Sequence, residues 1–150
     1  MKTVTVRTLE ETDVFAHEIA RGLVKQDTAT VIALHGNLGA GKTTFTQCFA
    51  RALGVTETVT SPTFVVMKRY ALEQQQCTVL THIDAYRIED EQELEVLGIR
   101  DLLADSANLM LIEWAERVPT FIPNGALSIS MVPNEDGSRT ITYENYERKN

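Results

Sequence analysis

Cysteine is scarce in this 150-residue chain, and its two copies are badly spaced for any chemistry that needs them. Cys48 and Cys77 form no CxxC and no Cys/His pattern, which excludes a zinc ribbon and a disulfide scaffold and leaves two buried free thiols as the expectation. Basic residues are also in short supply, with 14 Lys and Arg against 21 Asp and Glu and a net charge of −7. An autonomous nucleic-acid binder needs a basic face, so any contact with RNA or DNA is expected to be indirect or confined to a small patch. No stretch approaches the roughly 18 consecutive apolar residues of a membrane span. Met1 to Arg7 runs into Thr8-Leu9-Glu10-Glu11 without the apolar segment of a signal peptide, so the expected location is the cytoplasm. The 43% hydrophobic residues suffice for one core, and the chain is read as a single domain over 1–150.

The order of elements follows from periodicity. Thr3 to Arg7 alternates like a strand, and Thr8 with Glu11 forms a capping box that opens a helix carrying Phe15, Ile19 and Leu23 on one face. Thr30 to His35 is a near-continuous apolar run, as expected of a strand covered on both faces. A glycine-rich loop leads into a helix over 43–53, stopped by Gly54. Strands are predicted over 64–70 and 78–83, a short acidic helix over 90–97 closed by Gly98, and a second buried strand over 109–112. Segments 126–132 and 139–143 flank Asn134-Glu135-Asp136-Gly137, a hairpin signal.

The chemistry is concentrated in Gly36-Asn37-Leu38-Gly39-Ala40-Gly41-Lys42-Thr43, a complete G-x-x-x-x-G-K-[ST] between a buried strand and a helix. Glycines let the backbone wrap a phosphate, Lys42 bridges the β- and γ-phosphates, and Thr43 offers a hydroxyl to Mg²⁺ at the helix N-terminus. A P-loop site also needs a strand-end carboxylate for the metal. Asp84 and Glu113 both qualify, as surface-facing groups at the carboxyl edge of the sheet. Two readings stand for the neighbouring residues: His82 as packed core or site residue, Arg87 as ion-pair donor or arginine finger, Trp114 as core or as a neighbour of the nucleotide or a partner. A GTPase is excluded, because none of the six asparagines precedes a lysine to form N-K-x-D and no D-x-x-G occurs. A small-molecule kinase is the alternative to an ATPase.

Five fragments together resemble one family: GNLGAGKTT over 36–44, Ser61-Pro62-Thr63-Phe64, His82-Ile83-Asp84-Ala85-Tyr86-Arg87, Leu97-Gly98-Ile99-Arg100-Asp101 and Ile112-Glu113-Trp114. The chain resembles the TsaE (YjeE) family, small bacterial P-loop ATPases of tRNA threonylcarbamoyladenosine synthesis, over nearly its whole length. Asn37 departs from the Asp usual there, at a position whose backbone does the binding. The resemblance implies a three-layer P-loop NTPase-like α/β fold, with a mixed, mainly parallel sheet, helices on both faces and a C-terminal antiparallel hairpin. It implies ATP and Mg²⁺ as ligands, ADP as product, and low intrinsic ATPase activity. Gly36, Asn37, Leu38, Gly39, Ala40, Gly41, Lys42, Thr43 and Thr44 would bind the nucleotide, with Thr12 and Arg139 beside it. Thr43 and Glu113 would serve the metal, and Lys42, Asp84 and Glu113 hydrolysis. Ser61, Thr63, His82, Tyr86, Arg87 and Trp114 would couple the site to a switch and to partners. The implied partner is the TsaB–TsaD complex, reset between turnovers by ATP hydrolysis, with tRNA reached only indirectly and no DNA or membrane partner.

Overall fold

The computed structural model describes residues 1–62, 65–73 and 76–147. Seven strands form one sheet: β1 (Lys2–Val6), β2 (Thr30–His35), β3 (Met67–Ala71), β4 (Val79–Asp84), β5 (Asn108–Glu113), β6 (Leu127–Pro133) and β7 (Arg139–Asn145). Their spatial order is β1-β7-β6-β2-β5-β4-β3. The four central strands β6, β2, β5 and β4 run parallel, while β7, β1 and β3 join antiparallel at the two sides. The β6–β7 hairpin is present, and β7 also carries β1 on its far side.

Among the described residues four α-helices complete the fold: α1 (Leu9–Gly22), α2 (Lys42–Ala52), α3 (Gln92–Val96) and α4 (Ile99–Ala104). Helix α1 starts where the capping signal places it, because Thr8 Oγ1 accepts the Glu11 N–H at 3.1 Å. The Glu11 carboxylate accepts the Arg7 N–H at 2.6 Å, one residue before the partner a regular capping box uses. The acidic helix is shorter than its sequence pattern suggests, and Gly98 ends it only to open another. At φ 79 Gly98 turns the chain directly into α4, an element that a terminating glycine had concealed. Phe64 and the start of its expected strand lie outside the described residues, and β3 begins at Met67.

Alternation along the buried strands splits the core in two. Ile32, Leu34, Leu80, Leu109 and Leu111 pack with Phe15, Ala16, Phe45 and Phe49 of α1 and α2 on one face. Val31, Ala33, Ile83, Met110 and Ile112 meet Leu94, Ile99, Val118, Phe121 and Ile122 on the other. That second face is covered by the short helices and by two 3₁₀ turns at Ala115–Arg117 and Pro119–Phe121. Cys48 and Cys77 are buried free thiols. Among the described residues no helix is long and apolar enough to cross a membrane.

Candidate functional site

The same alternation aims the site. His82 and Asp84 continue the parity of Leu80, and Glu113 that of Leu109 and Leu111, so all three turn toward the sheet face covered by α2. Parallel pairing puts Asp84 opposite Glu113 at the carboxyl ends of β4 and β5. Strand β2 lies beside β5 and ends in the loop that starts α2. The loop and both carboxylates therefore meet at one edge, as open α/β sheets provide.

Glycine is demanded by space at both ends of the loop. A Cβ on Gly36 (φ 150) would lie 2.8 Å from the Met131 carbonyl oxygen, and one on Gly41 (φ 99) 2.7 Å from Arg139 Nε. Gly41 caps α2 without a side-chain acceptor, so the first-turn N–H groups of the helix are left to an anion. Lys42 begins that helix with only 7% exposure. Its ammonium donates to the Gly36 carbonyl and sits 3.8 Å from the centroid of the Trp114 ring. Burial pushes the Lys42 pKa down, against the upward pull of Glu113, Glu116 and Asp84.

Both candidate carboxylates are buried, not surface-facing as the sequence led us to expect: Asp84 is 7% and Glu113 3% exposed. The reason is the loops that fold back over the strand ends. Asp84 accepts Ser61 Oγ–H at 3.1 Å and the Tyr86 N–H at 3.0 Å, and Glu113 accepts His82 Nε2–H at 2.8 Å. Trp114 turns the chain out of β5 at φ 57, its N–H donating to the Leu34 carbonyl at 3.1 Å. Its ring lies 5.1 Å from that of Tyr86, and the Arg117 guanidinium stands 5.5 Å from both.

A cleft of about 370 Å³ unites Leu38 to Thr44, Ser61, Asp84, Tyr86, Glu113, Trp114 and Arg139. A second recess of about 250 Å³ shares Gly41, Thr44 and Arg139 with it and is closed by Thr8 and Thr12. Thr12 and Arg139 are thus brought together beside the P-loop, although Thr12 is mostly buried and its hydroxyl donates to the Thr8 carbonyl. Asn37 is exposed and Arg87 is exposed away from the cleft lining. Thr63 lies outside the described residues. Sequence reasoning missed His35 and Glu116, which pair at 2.8 Å next to the P-loop, and Arg117 over the aromatic pair. No local pattern marks them: Ala115 separates Glu116-Arg117 from Trp114, and His35 lies 81 positions from Glu116.

The donors present suit Mg²⁺. Thr43, Asp84 and Glu113 offer oxygens, yet no group of three or more His, Cys, Asp or Glu among the described residues could hold a metal by itself. So sparse an oxygen set fits an ion that keeps waters and takes further ligands from phosphates.

A family model described as "Threonylcarbamoyl adenosine biosynthesis protein TsaE" matches residues 6–141. The chain belongs to the TsaE family. It is 42% identical over 113 residues to the tRNA threonylcarbamoyladenosine biosynthesis protein TsaE of Bacillus subtilis, covering 75% of this chain and 68% of that protein. The Haemophilus influenzae protein of the same name is 34% identical over 129 residues, 85% of this chain and 78% of its own. The crystal structure of Bacillus subtilis YdiB superposes with a TM-score of 0.73 at 32% identity, covering 96% of this chain and 86% of that one. TsaE membership assigns the protein to tRNA threonylcarbamoyladenosine biosynthesis and accords with the P-loop NTPase-like fold described above.

Proposed function

We propose that the protein is a cytoplasmic Mg²⁺-dependent ATPase of this pathway, whose slow hydrolysis of ATP to ADP and phosphate resets a TsaB–TsaD complex between turnovers. The observation that carries the reading is the convergence of the P-loop, Lys42 and Thr43 with the carboxylates of Asp84 and Glu113 in one cleft. The loop amides and the α2 N-terminus bind the β-phosphate, and Lys42 leaves the Gly36 carbonyl to pair with phosphate oxygens. Thr43 and Glu113 hold the metal, directly or through water. Mg²⁺, when bound, neutralises charge on the transferring phosphoryl group. Asp84, held by Ser61 and the Tyr86 amide, orients the attacking water and couples it to the 61–66 segment. Thr12 and Arg139 border the recess that continues from the P-loop, where the base and ribose fit.

Phosphate release is to be measured for the isolated chain and for the chain mixed with purified TsaB–TsaD. A slow basal rate raised by the pair is expected. A fast rate that the pair leaves unchanged overturns partner gating, and release that requires a small-molecule acceptor turns the assignment to a kinase.

A further inference from the structure

The buried His82–Glu113 contact has no counterpart in the phosphate-binding machinery. The two side chains are 2% and 4% exposed, and His82 Nε2 lies 2.8 Å from Glu113 Oε2. The other ring nitrogen, Nδ1, is buried without a hydrogen-bond partner among the described residues. A buried N–H left unpaired is costly, whereas an unpaired imidazole lone pair costs less. The proton therefore sits on Nε2, and His82 is a donor to Glu113.

Glu113 needs such a donor. It is the foremost acidic influence on Lys42, yet among the described residues Lys42 makes no ion pair within 4.0 Å, and its ammonium rests on Gly36 and Trp114. A buried carboxylate and a buried ammonium in one cleft attract strongly. Closing on each other would withdraw both from the phosphate and the metal, and Gly36 and Trp114 hold only the lysine. His82 sits one strand away, on the same sheet face, with its donor on one carboxylate oxygen, and the other, Oε1, has no hydrogen bond among the described residues.

We infer that His82 is a positioning residue: its Nε2–H tethers Glu113 Oε2, keeps that carboxylate from collapsing onto Lys42, and leaves Oε1 for the metal. The metal half of this inference rests on the role proposed above for Glu113, and the separation from Lys42 does not.

The test uses the full chain and the isosteric pair His82→Gln, which keeps an N–H donor, and His82→Met, which does not. ADP affinity is measured by calorimetry in EDTA, and Mn²⁺ affinity of the ADP complex by electron paramagnetic resonance. His82→Met is expected to weaken Mn²⁺ binding roughly 10- to 100-fold, the usual effect of losing a residue that orients a metal ligand, while His82→Gln stays within about threefold of wild type. In EDTA, His82→Met is expected to weaken ADP about tenfold, and adding Glu113→Gln to restore it by removing the charge that captures Lys42. Wild-type values for both quantities in a folded His82→Met protein overturn the inference. Should His82→Met fail to fold, long-range ¹H–¹⁵N spectra of the wild type decide: a proton on Nε2 supports the tether, and one on Nδ1 overturns it. A wild type whose ADP complex takes up no Mn²⁺ overturns the metal role of Glu113, and the EDTA arm then decides the separation alone.

Discussion

The Lys42 ammonium lies 3.8 Å from the centre of the Trp114 ring, so the lysine proposed to meet phosphate and the only tryptophan of the chain are in contact. Two features maintain the contact. Trp114 adopts φ 57, a conformation a bulky residue takes only when its surroundings impose it, and Tyr86 and Arg117 back the ring. The buried cation is thus satisfied by a carbonyl and an aromatic face.

If nucleotide draws the ammonium off the indole, as the role proposed for Lys42 requires, titration with ADP or ATP and Mg²⁺ is expected to change Trp114 emission. Lys42→Ala should remove that response and weaken ATP on the order of 100-fold, the cost of deleting one partner of a buried charge pair. Calorimetric binding without any emission change contradicts the stacking argument, and equal affinity in the variant contradicts the role of the lysine. GTP should bind more weakly than ATP in the same titration.

Burial lowers the Lys42 pKa, which means that the folded state disfavours the charged form. At neutral pH the charged lysine therefore costs stability, and the cost is relieved as pH rises through the lowered folded pKa toward 10.5. Lys42→Met should accordingly melt at a higher temperature than wild type at pH 7 without nucleotide, with the gap narrowing at alkaline pH. A lower melting temperature for the variant at pH 7 contradicts this.

Much of this arrangement was readable in the chain. The P-loop, the buried strands around it and the carboxylates of Asp84 and Glu113 announce themselves because each needs particular residue types at fixed spacing. The division of the acidic segment into α3 and α4 did not, since Gly98 serves one helix as a stop and the next as a start. Nor did the burial of Asp84 and Glu113. It depends on Ser61 and His82, 23 and 31 positions away, and on how loops fold over strand ends. The His35–Glu116 pair spans 81 positions and carries no local pattern at all.

The tight loop yields a graded prediction. Gly36→Ala sets a Cβ against a backbone oxygen of β6, which cannot withdraw, whereas Gly39→Ala meets nothing within 4 Å and pays only for its φ of 82. Gly36→Ala is expected to lose about 1–3 kcal/mol, or roughly 3–10 °C of melting temperature, and to lose ADP binding. Gly39→Ala should lose less stability. Thermal melts of the two variants side by side settle the order.

Asp136 in the hairpin turn has its pKa lowered to about 2, chiefly by hydrogen bonds from Ser138 and then by Arg7. A depressed carboxyl pKa means stability that is complete above the unfolded value of 3.8 and lost as pH falls through about 2. Asp136→Asn should therefore lower the melting temperature at pH 7 slightly, since the group is exposed, with the difference shrinking between pH 4 and pH 2. A difference that is constant over that range rules out this ionisation as its source.

The last prediction concerns the link between Ser61 and Asp84. Ser61 Oγ donates to Asp84 Oδ2 at 3.1 Å, and the Asp84 N–H donates to the Val66 carbonyl at 2.8 Å, so both ends of the 61–66 segment are fastened to one residue. Val66 has φ 67, a strained value for a β-branched side chain, and its N–H donates to the Pro62 carbonyl at 2.7 Å. A partner that moves this segment would thereby move Asp84, the residue proposed to orient water. Asp84→Ala should cost at least about tenfold in hydrolysis while sparing ADP affinity, and Glu113→Ala should cost as much and weaken the Mg²⁺ dependence as well. Ser61→Ala removes the Ser61–Asp84 hydrogen bond and leaves the Asp84–Val66 one, and should lower hydrolysis less than Asp84→Ala, with the larger part of its effect appearing when TsaB–TsaD is present. Steady-state rates for the three variants, with and without the pair, test the scheme. A Ser61→Ala protein that is stimulated as fully as wild type would show that the segment and Asp84 move independently.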